Sequence, residues 1–263
     1  MGGSANFGFV TEITYKPPPL VPLVLLYEIV FEWYDASSIL EKWQRTAPHY
    51  PGEFNEDLSI FTINDEIATS QQINITGIYV ITNGNVEDAQ KLIKHETSYL
   101  DGTLTMHKVV PYSQAYQRFA DARRYHNFSM GGAVFSYQSL KSSVLLKLME
   151  KARRVIGRSY LGLQLLGGAI FQDNDEMSYN PRNAKFFVDV FSFWDSAVDQ
   201  ESNLHWNRST FETIRSKYGP ICYYGFPHNN LPVEAYFGSS TPRLKQIKEQ
   251  IDPFNLLRYP GSL

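Results

Sequence analysis

The chain has 263 residues, 43% hydrophobic and 14% aromatic, enough to bury a large core and too apolar for a disordered or fibrous protein. Its 24 basic and 27 acidic residues leave a net charge of -3 with no basic block, which argues against a nucleic-acid or anionic-membrane partner and favours small molecules. A single cysteine, Cys222, excludes an intrachain disulfide and any zinc site built from several thiolates.

Before the first strand there is no charged-then-apolar leader pattern, and the apolar residues 20–31 are interrupted by Pro22 and Glu28 and too short to span a bilayer. A cytoplasmic chain is expected. Sequons stand at Asn74, Asn127 and Asn207. His49, His95, His107, His126 and His205 lack the spacing of a metal site, so no metal is expected.

In chain order, residues 7–15 alternate apolar and polar side chains and predict a strand. Pro17, Pro18, Pro19 and Pro22 form a stiff connection and the preferred domain boundary, followed by a strand over 23–33. Asp35 and Ser37 predict the cap of a helix to about residue 45. Strands are then predicted over 58–64 and 73–82, a helix from Asn85 and Glu87 to about 95, a short strand over 104–110 and a helix over 112–122.

Residues 128–135 read as extended, 139–156 as a strong amphipathic helix, 161–171 as a strand carrying Gly167 and Gly168, and 184–193 as an apolar strand. A helix over 204–218, a short strand over 221–226 and a last helix over 242–250, closed by Asp252-Pro253, complete the pattern. The fold class predicted is α+β, a mainly antiparallel sheet with helices on one face.

Several segments resemble the berberine-bridge-type FAD-linked oxidoreductases. Gly2-Gly3-Ser4-Ala5-Asn6-Phe7-Gly8-Phe9-Val10-Thr11 is similar to the segment that closes that family's FAD-binding domain. Leu163 to Ala169, with its Gly167-Gly168, resembles a family strand ending in two glycines, and Trp194 stands where the next strand ends in tryptophan. The tail matches in order: Tyr236-Phe237-Gly238-Ser239, Arg243 to Lys248, Asp252 to Leu257, and Pro260-Gly261-Ser262-Leu263. The resemblance implies residues 1–19 as a remnant of the FAD-binding domain, 20–235 as the substrate-binding domain of the vanillyl-alcohol-oxidase or berberine-bridge type, and 236–263 as a berberine-bridge-type tail.

In that family an N-terminal lobe holds the flavin, often through a covalent His or Cys. No matching residues precede Gly2, so the expectation is no cofactor in isolation, or FAD if a separate flavin-binding chain completes the protein. The family's Tyr-x-Asn motif places a tyrosine over the flavin as a base. The matching stretch here keeps Tyr223 but has Gly225 for the asparagine, followed by His228 where an aspartate is usual.

Four candidate catalytic residues follow. Tyr223 can donate a proton or hydrogen bond without a cofactor, with core filling as the equal alternative. Gln164 alternates with Leu163 and Leu165 and faces the flavin-side cleft if the leucines face helices. Asp189 is a charge in the apolar run 186–191, where burial would raise its pKa; an edge position or an arginine partner is the alternative. His228 can shuttle protons near neutrality, against a solvated loop histidine. Trp33, Tyr79, Phe135, Phe187, Phe191, Trp194 and Tyr224 are expected to line an apolar pocket, with aromatic core packing as the default.

The first expectation for function is a flavin-independent isomerase or cyclase, pericyclic chemistry included, acting on a small apolar secondary metabolite. The alternatives are the substrate-binding part of an FAD-dependent oxidoreductase, and a non-catalytic binding or dimerisation module. No nucleic-acid or membrane partner is expected. A homo-oligomer would cover the sheet face that a flavin lobe would otherwise occupy.

Overall fold

The computed structural model describes residues 3–263 except 4–5, 17–22, 66, 82–83, 122–125, 172–176, 179–180, 227, 229–230 and 260–261. Strands β1 (Leu23–Phe31), β2 (Phe54–Asn64), β3 (Thr69–Val80), β4 (Thr103–Pro111), β5 (Phe128–Ser136), β6 (Gly157–Leu165) and β7 (Phe186–Trp194) join in one sheet of order β4-β1-β3-β2-β6-β7-β5. Every neighbouring pair is antiparallel.

Alternation along the strands sorts their side chains into two faces. Leu25, Tyr27 and Ile29 of β1, Leu58 and Ile60 of β2, Leu161 and Leu163 of β6, and Val188 and Val190 of β7 share the main core. The helices α1 (Ala36–Thr46), α2 (Val86–Leu100), α4 (Ser142–Ala152) and α5 (Gln200–Tyr218) bury residues against this face. Each fully buried leucine or isoleucine there contributes about 1.5–3 kcal/mol of transfer free energy. Trp206 and Asn207 pin α5 to its neighbours: the indole donates to Leu148 O at 3.0 Å, and the Asn207 amide donates to Met130 O at 3.1 Å and Val190 O at 3.3 Å. Asn207 is wholly buried, so its sequon accepts no glycan in the folded chain.

The α+β antiparallel architecture agrees with the sequence expectation, with one refinement. Helix α3 (Tyr112–Asp121) lies on the opposite face, where Ala115 packs with Val24 and Leu26. Beyond the reach of α3, the face of β2, β6, β7 and β5 carries no helix among the described residues.

Three expected elements differ. Residues 7–16 form no strand, and Phe9, Thr11, Ile13 and Tyr15 are exposed: their alternation is that of a half-buried strand, but among the described residues no partner strand reaches them. Residues 221–226 form only an isolated bridge, Cys222 to Val134, before a tight turn in which Phe226 N donates to Tyr223 O at 3.2 Å. The strand carrying Leu163 stops at Leu165, and Gly168 takes a positive φ of 56° that starts a 3-10 turn instead. The proline-rich boundary at 17–22 lies outside the described residues.

The C-terminal part folds back on the edge of β5. Helix α6 (Glu234–Phe237) is tied there by Cys222 N donating to Ala235 O at 2.7 Å, and helix α7 (Thr241–Ile251) leads into the tail.

Candidate functional site

The register of the sheet assembles a polar and aromatic patch on its open face. Directly opposed residues of antiparallel strands share a face, so Asp57, Gln164, Phe187 and Phe135 form one row across β2, β6, β7 and β5. The next row runs Ser59, Gly162, Asp189 and Ala133. The backbone of Tyr223 extends this row at the edge, donating its N–H to Ala133 O at 2.8 Å. Alternation about the Cys222 bridge turns Tyr223 to the open face while Cys222 and Tyr224 point into the opposite core.

Tyr223 stands in an aromatic box. Its ring meets Phe187 edge-on at 5.3 Å and Phe226 at 5.2 Å, with Phe135 at 6.4 Å, and Phe226 in turn packs on Phe191 at 5.1 Å. Gly225 explains the loss of the family's asparagine in steric terms: a Cβ there would overlap the Tyr223 ring. In this chain the turn folds the ring back over its own backbone, where an asparagine would push it away.

The polar part centres on Tyr160. Its hydroxyl donates to Asp57 Oδ2 at 3.2 Å, and the Ser59 hydroxyl donates to the same carboxylate at 3.3 Å. A Cβ on Gly162 would collide with both the Tyr160 hydroxyl and Asp189 Oδ1, so this glycine keeps the space in which they approach. Gln164 Nε2 donates to Asp189 Oδ2 at 3.5 Å, and Asp189 is wholly buried. Burial, then the charges of Asp189 and Asp57, raise the Tyr160 hydroxyl well above its ordinary value, so it stays a neutral donor. Arg158 lies over the Phe61 ring at 4.4 Å beside this cluster.

Of the residues singled out in the sequence, Tyr223, Asp189, Gln164, Phe135, Phe187 and Phe191 come together here, and Gln164 takes the face expected from its leucine neighbours. His228, Tyr79, Trp194, Trp33 and Tyr224 do not. His228 stacks on Phe211 of α5 at 4.0 Å on the helix side of β5, with its backbone N–H donating to the Tyr236 hydroxyl at 3.0 Å. Tyr79 opposes Leu25 and Phe54 in the main core, and Trp194 stacks on Phe128 with only 3% exposure. Trp33 packs against that core from a 3-10 turn, and Tyr224 contacts Tyr236, Phe237 and Tyr259 of the tail. In each case the side chain has the opposite strand parity from Asp189 or lies off the strands. Asp57 and Tyr160 were missed because the sequence reading began β2 at Leu58 and placed no start of β6 before Leu161; extending the alternation back through Phe54, Glu56 and Leu58 would have exposed Asp57.

Burial, followed by the charge of Arg208, lowers His228 to about 4, so it is neutral at physiological pH and is no shuttle. Its folded value lies below the unfolded 6.5, so the stability it contributes is complete above 6.5 and is lost as pH falls towards 4. The His228 contribution to the wild-type pH slope in urea unfolding is therefore a loss of up to about 2 kcal/mol between about pH 7 and pH 5. His228→Phe, which keeps the stack on Phe211, should flatten that slope.

The flavin expected from the resemblance can be tested against the residues present. Among the described residues no glycine-rich turn at a helix start presents the N–H cluster a pyrophosphate needs. Cys222 is buried on the helix side and its thiol is pushed up to about 12 by burial, which suits no covalent attachment. The residues do not fit a complete FAD site.

Comparison with known proteins bears on the fold. Residues 222–263 match the family model described as berberine and berberine like, a span that holds both Tyr223 and the tail. The FAD-linked oxidoreductase YgaK of Bacillus subtilis (strain 168) is 25% identical over 275 residues, covering 100% of this chain and 57% of its own length. Among solved structures, a chitooligosaccharide oxidase superposes with a TM-score of 0.77 at 17% identity, covering 99% of this chain and 59% of that one. A berberine bridge enzyme variant, a reticuline dehydrogenase, gives a TM-score of 0.71 at 17% identity, covering 91% and 55%. The chain thus spans somewhat over half the length of the relatives it matches, and none of those named here is an isomerase or cyclase. Residues 222–263 match a berberine and berberine like family model, and the chain is similar in sequence to part of an FAD-linked oxidoreductase and in fold to part of these solved enzymes.

Proposed function

We propose that the open sheet face is the substrate wall of an FAD-linked oxidoreductase, with the flavin held by polypeptide other than the residues described. The observation that carries this reading is the shared row of Asp189, Ala133 and Tyr223, which sets a carboxylate and a phenol on one face beside an aromatic box. Tyr223 can orient a substrate hydroxyl or amine by hydrogen bonding, while the wholly buried Asp189, to which Gln164 donates, acts from beneath through its charge. The exposed alternating residues Phe9, Thr11, Ile13 and Tyr15 support a further domain, since such a segment becomes a strand when an edge is offered to it. The mixed lining favours a substrate with both polar groups and a flat apolar face over a purely apolar one.

The test uses the purified chain, FAD, and a ligand panel of oligosaccharides and aromatic amines. Flavin fluorescence should show no saturable FAD binding by the chain alone. Calorimetry should find a ligand whose affinity falls about tenfold or more in Tyr223→Phe and in Asp189→Asn, the cost of one hydrogen bond to a charged or polar group. Ligand binding indifferent to both substitutions would sink the site, and conversion of the ligand without flavin would replace the oxidoreductase reading with the cofactor-free isomerase. A dimer that buries the open face and binds no ligand would leave a dimerisation module.

A further inference from the structure

On the helix side of the sheet, far from Tyr223, two carboxyl groups are buried together. Tyr27 of β1, Gly77 of β3 and Glu56 of β2 form one cross-strand row. The Tyr27 hydroxyl reaches over Gly77 and donates to Glu56 Oε1. The Trp43 indole of α1 donates to Glu56 Oε2 at 2.6 Å. From above, α2 inserts Glu96, which receives the Tyr50 hydroxyl on Oε1 at 2.5 Å and lies near enough for its charge to act on Glu56. Both glutamates are 1% exposed.

The groups facing the pair are Tyr27, Tyr50, Trp43 and, on α2 itself, His95. The nearby cations of α1 are directed elsewhere: Lys42 donates to Tyr99 O at 3.3 Å and Arg45 to the Tyr99 hydroxyl at 2.8 Å. Among the described residues no ion pair includes Glu56 or Glu96. Three neutral donors serve the two carboxyl groups, and Glu96 Oε2 is buried with no donor among the described residues. Two adjacent bare carboxylates without a cation would carry a desolvation cost of several kcal/mol each, whereas one proton placed between them satisfies the remaining oxygen.

We infer that Glu56 and Glu96 share a single proton and that this proton latches α2 onto the sheet. Glu96 is one of four buried residues on α2, beside Ala89, Ile93 and Leu100, and the only ionisable one among them. Both groups are raised above their ordinary 4.5, chiefly by burial, and for Glu56 next by the charge of Glu96. A raised carboxyl contributes stability that is complete below 4.5 and is lost as pH rises through the folded value. The latch is therefore closed in acid and opens towards alkaline pH.

Hydrogen exchange of the α2 amides, corrected for intrinsic rates, tests this on the full chain from about pH 5 to about pH 8. When opening releases one proton, protection should fall by up to about tenfold per pH unit within the window, while β6 and β7 keep theirs. Glu96→Gln supplies a neutral amide that donates to Glu56 at every pH and should make α2 protection independent of pH. An equal slope in wild type and Glu96→Gln, or no slope in either, overturns the latch. Should Glu96→Gln not fold, infrared spectra of wild-type chain carrying 13C-glutamate decide. A protonated-acid carbonyl band near neutral pH, sensitive to the label, is the expected result; its absence overturns the shared proton.

Discussion

Alanine at Gly77 should lower the unfolding free energy by about 2–6 kcal/mol, with an unchanged urea m-value. Two effects add. The new Cβ occupies the space of the Tyr27 hydroxyl and ring, an overpacking cost of about 1–3 kcal/mol in a strand that cannot shift without breaking register. Tyr27 is then displaced from Glu56, and a buried carboxyl left short of a donor costs about 1–3 kcal/mol more. Gly52→Ala is the matched control, because nothing lies within 4 Å of a Cβ there and the residue is exposed. A Gly77→Ala chain as stable as this control would mean that Tyr27 has another way to reach Glu56.

The second large effect is expected at Lys248. The residue is 5% exposed, and its ammonium donates to Asn6 O at 2.9 Å, Asp252 Oδ2 at 2.7 Å and Leu257 O at 2.8 Å. The Asn6 side chain accepts from Leu263 N at 2.8 Å, so one buried cation ties the N-terminal segment to the last turn of the tail. The Lys248 bond and the Leu257 and Leu256 N–H groups hold the Asp252 carboxyl down to about 2. Its contribution is present above the unfolded 3.8 and is lost only as pH falls through about 2. Lys248→Met removes the cation but keeps the stem, leaving the carboxylate in a buried place without its partner. The expected result is much faster proteolysis within residues 7–16 and the tail, a lower Tm, and an acid transition moved to higher pH. A variant that keeps wild-type resistance would show that the tail docks by its apolar contacts alone.

These two sites also mark what a reader of the sequence misses. Gly77 sits in a strand pattern where glycine reads as a weakness, and its purpose appears only when the register places it between Tyr27 and Glu56. Gly162 follows the same rule beneath Tyr160 and Asp189. Lys248 lies on an ordinary amphipathic helix, and its partner Asn6 is 242 residues away in the chain.

The elements themselves were largely legible, because local periodicity fixes them. The strand around Leu163, Gln164 and Leu165 and the strand around Asp189 fall where alternation or an apolar run predicted, and the tail was recognisable from its own residues. Helix α4 is shorter than the periodic stretch that announced it, ending at Ala152. The strand at 7–15 failed for the opposite reason: a pattern of alternation states what a segment can bury, and burial requires a partner edge.

Within the site, Tyr223, Asp189 and Gln164 were found from residue type and resemblance, whereas His228 was assigned to their side and lies on the other. Adjacent residues of an extended segment point to opposite faces, so membership of a site turns on parity about one hydrogen-bonded pair, here Cys222 with Val134. The sequence by itself determined the fold class, most strands and helices and the kinship with FAD-linked oxidoreductases, since these rest on local pattern and motif. The tertiary structure alone decided which aromatics line the open face, brought Tyr160 to Asp57 across 103 residues, and buried Glu56 beside Glu96. Contacts of that range depend on strand register and helix docking, which the chain acquires only when the whole sheet closes its pairings.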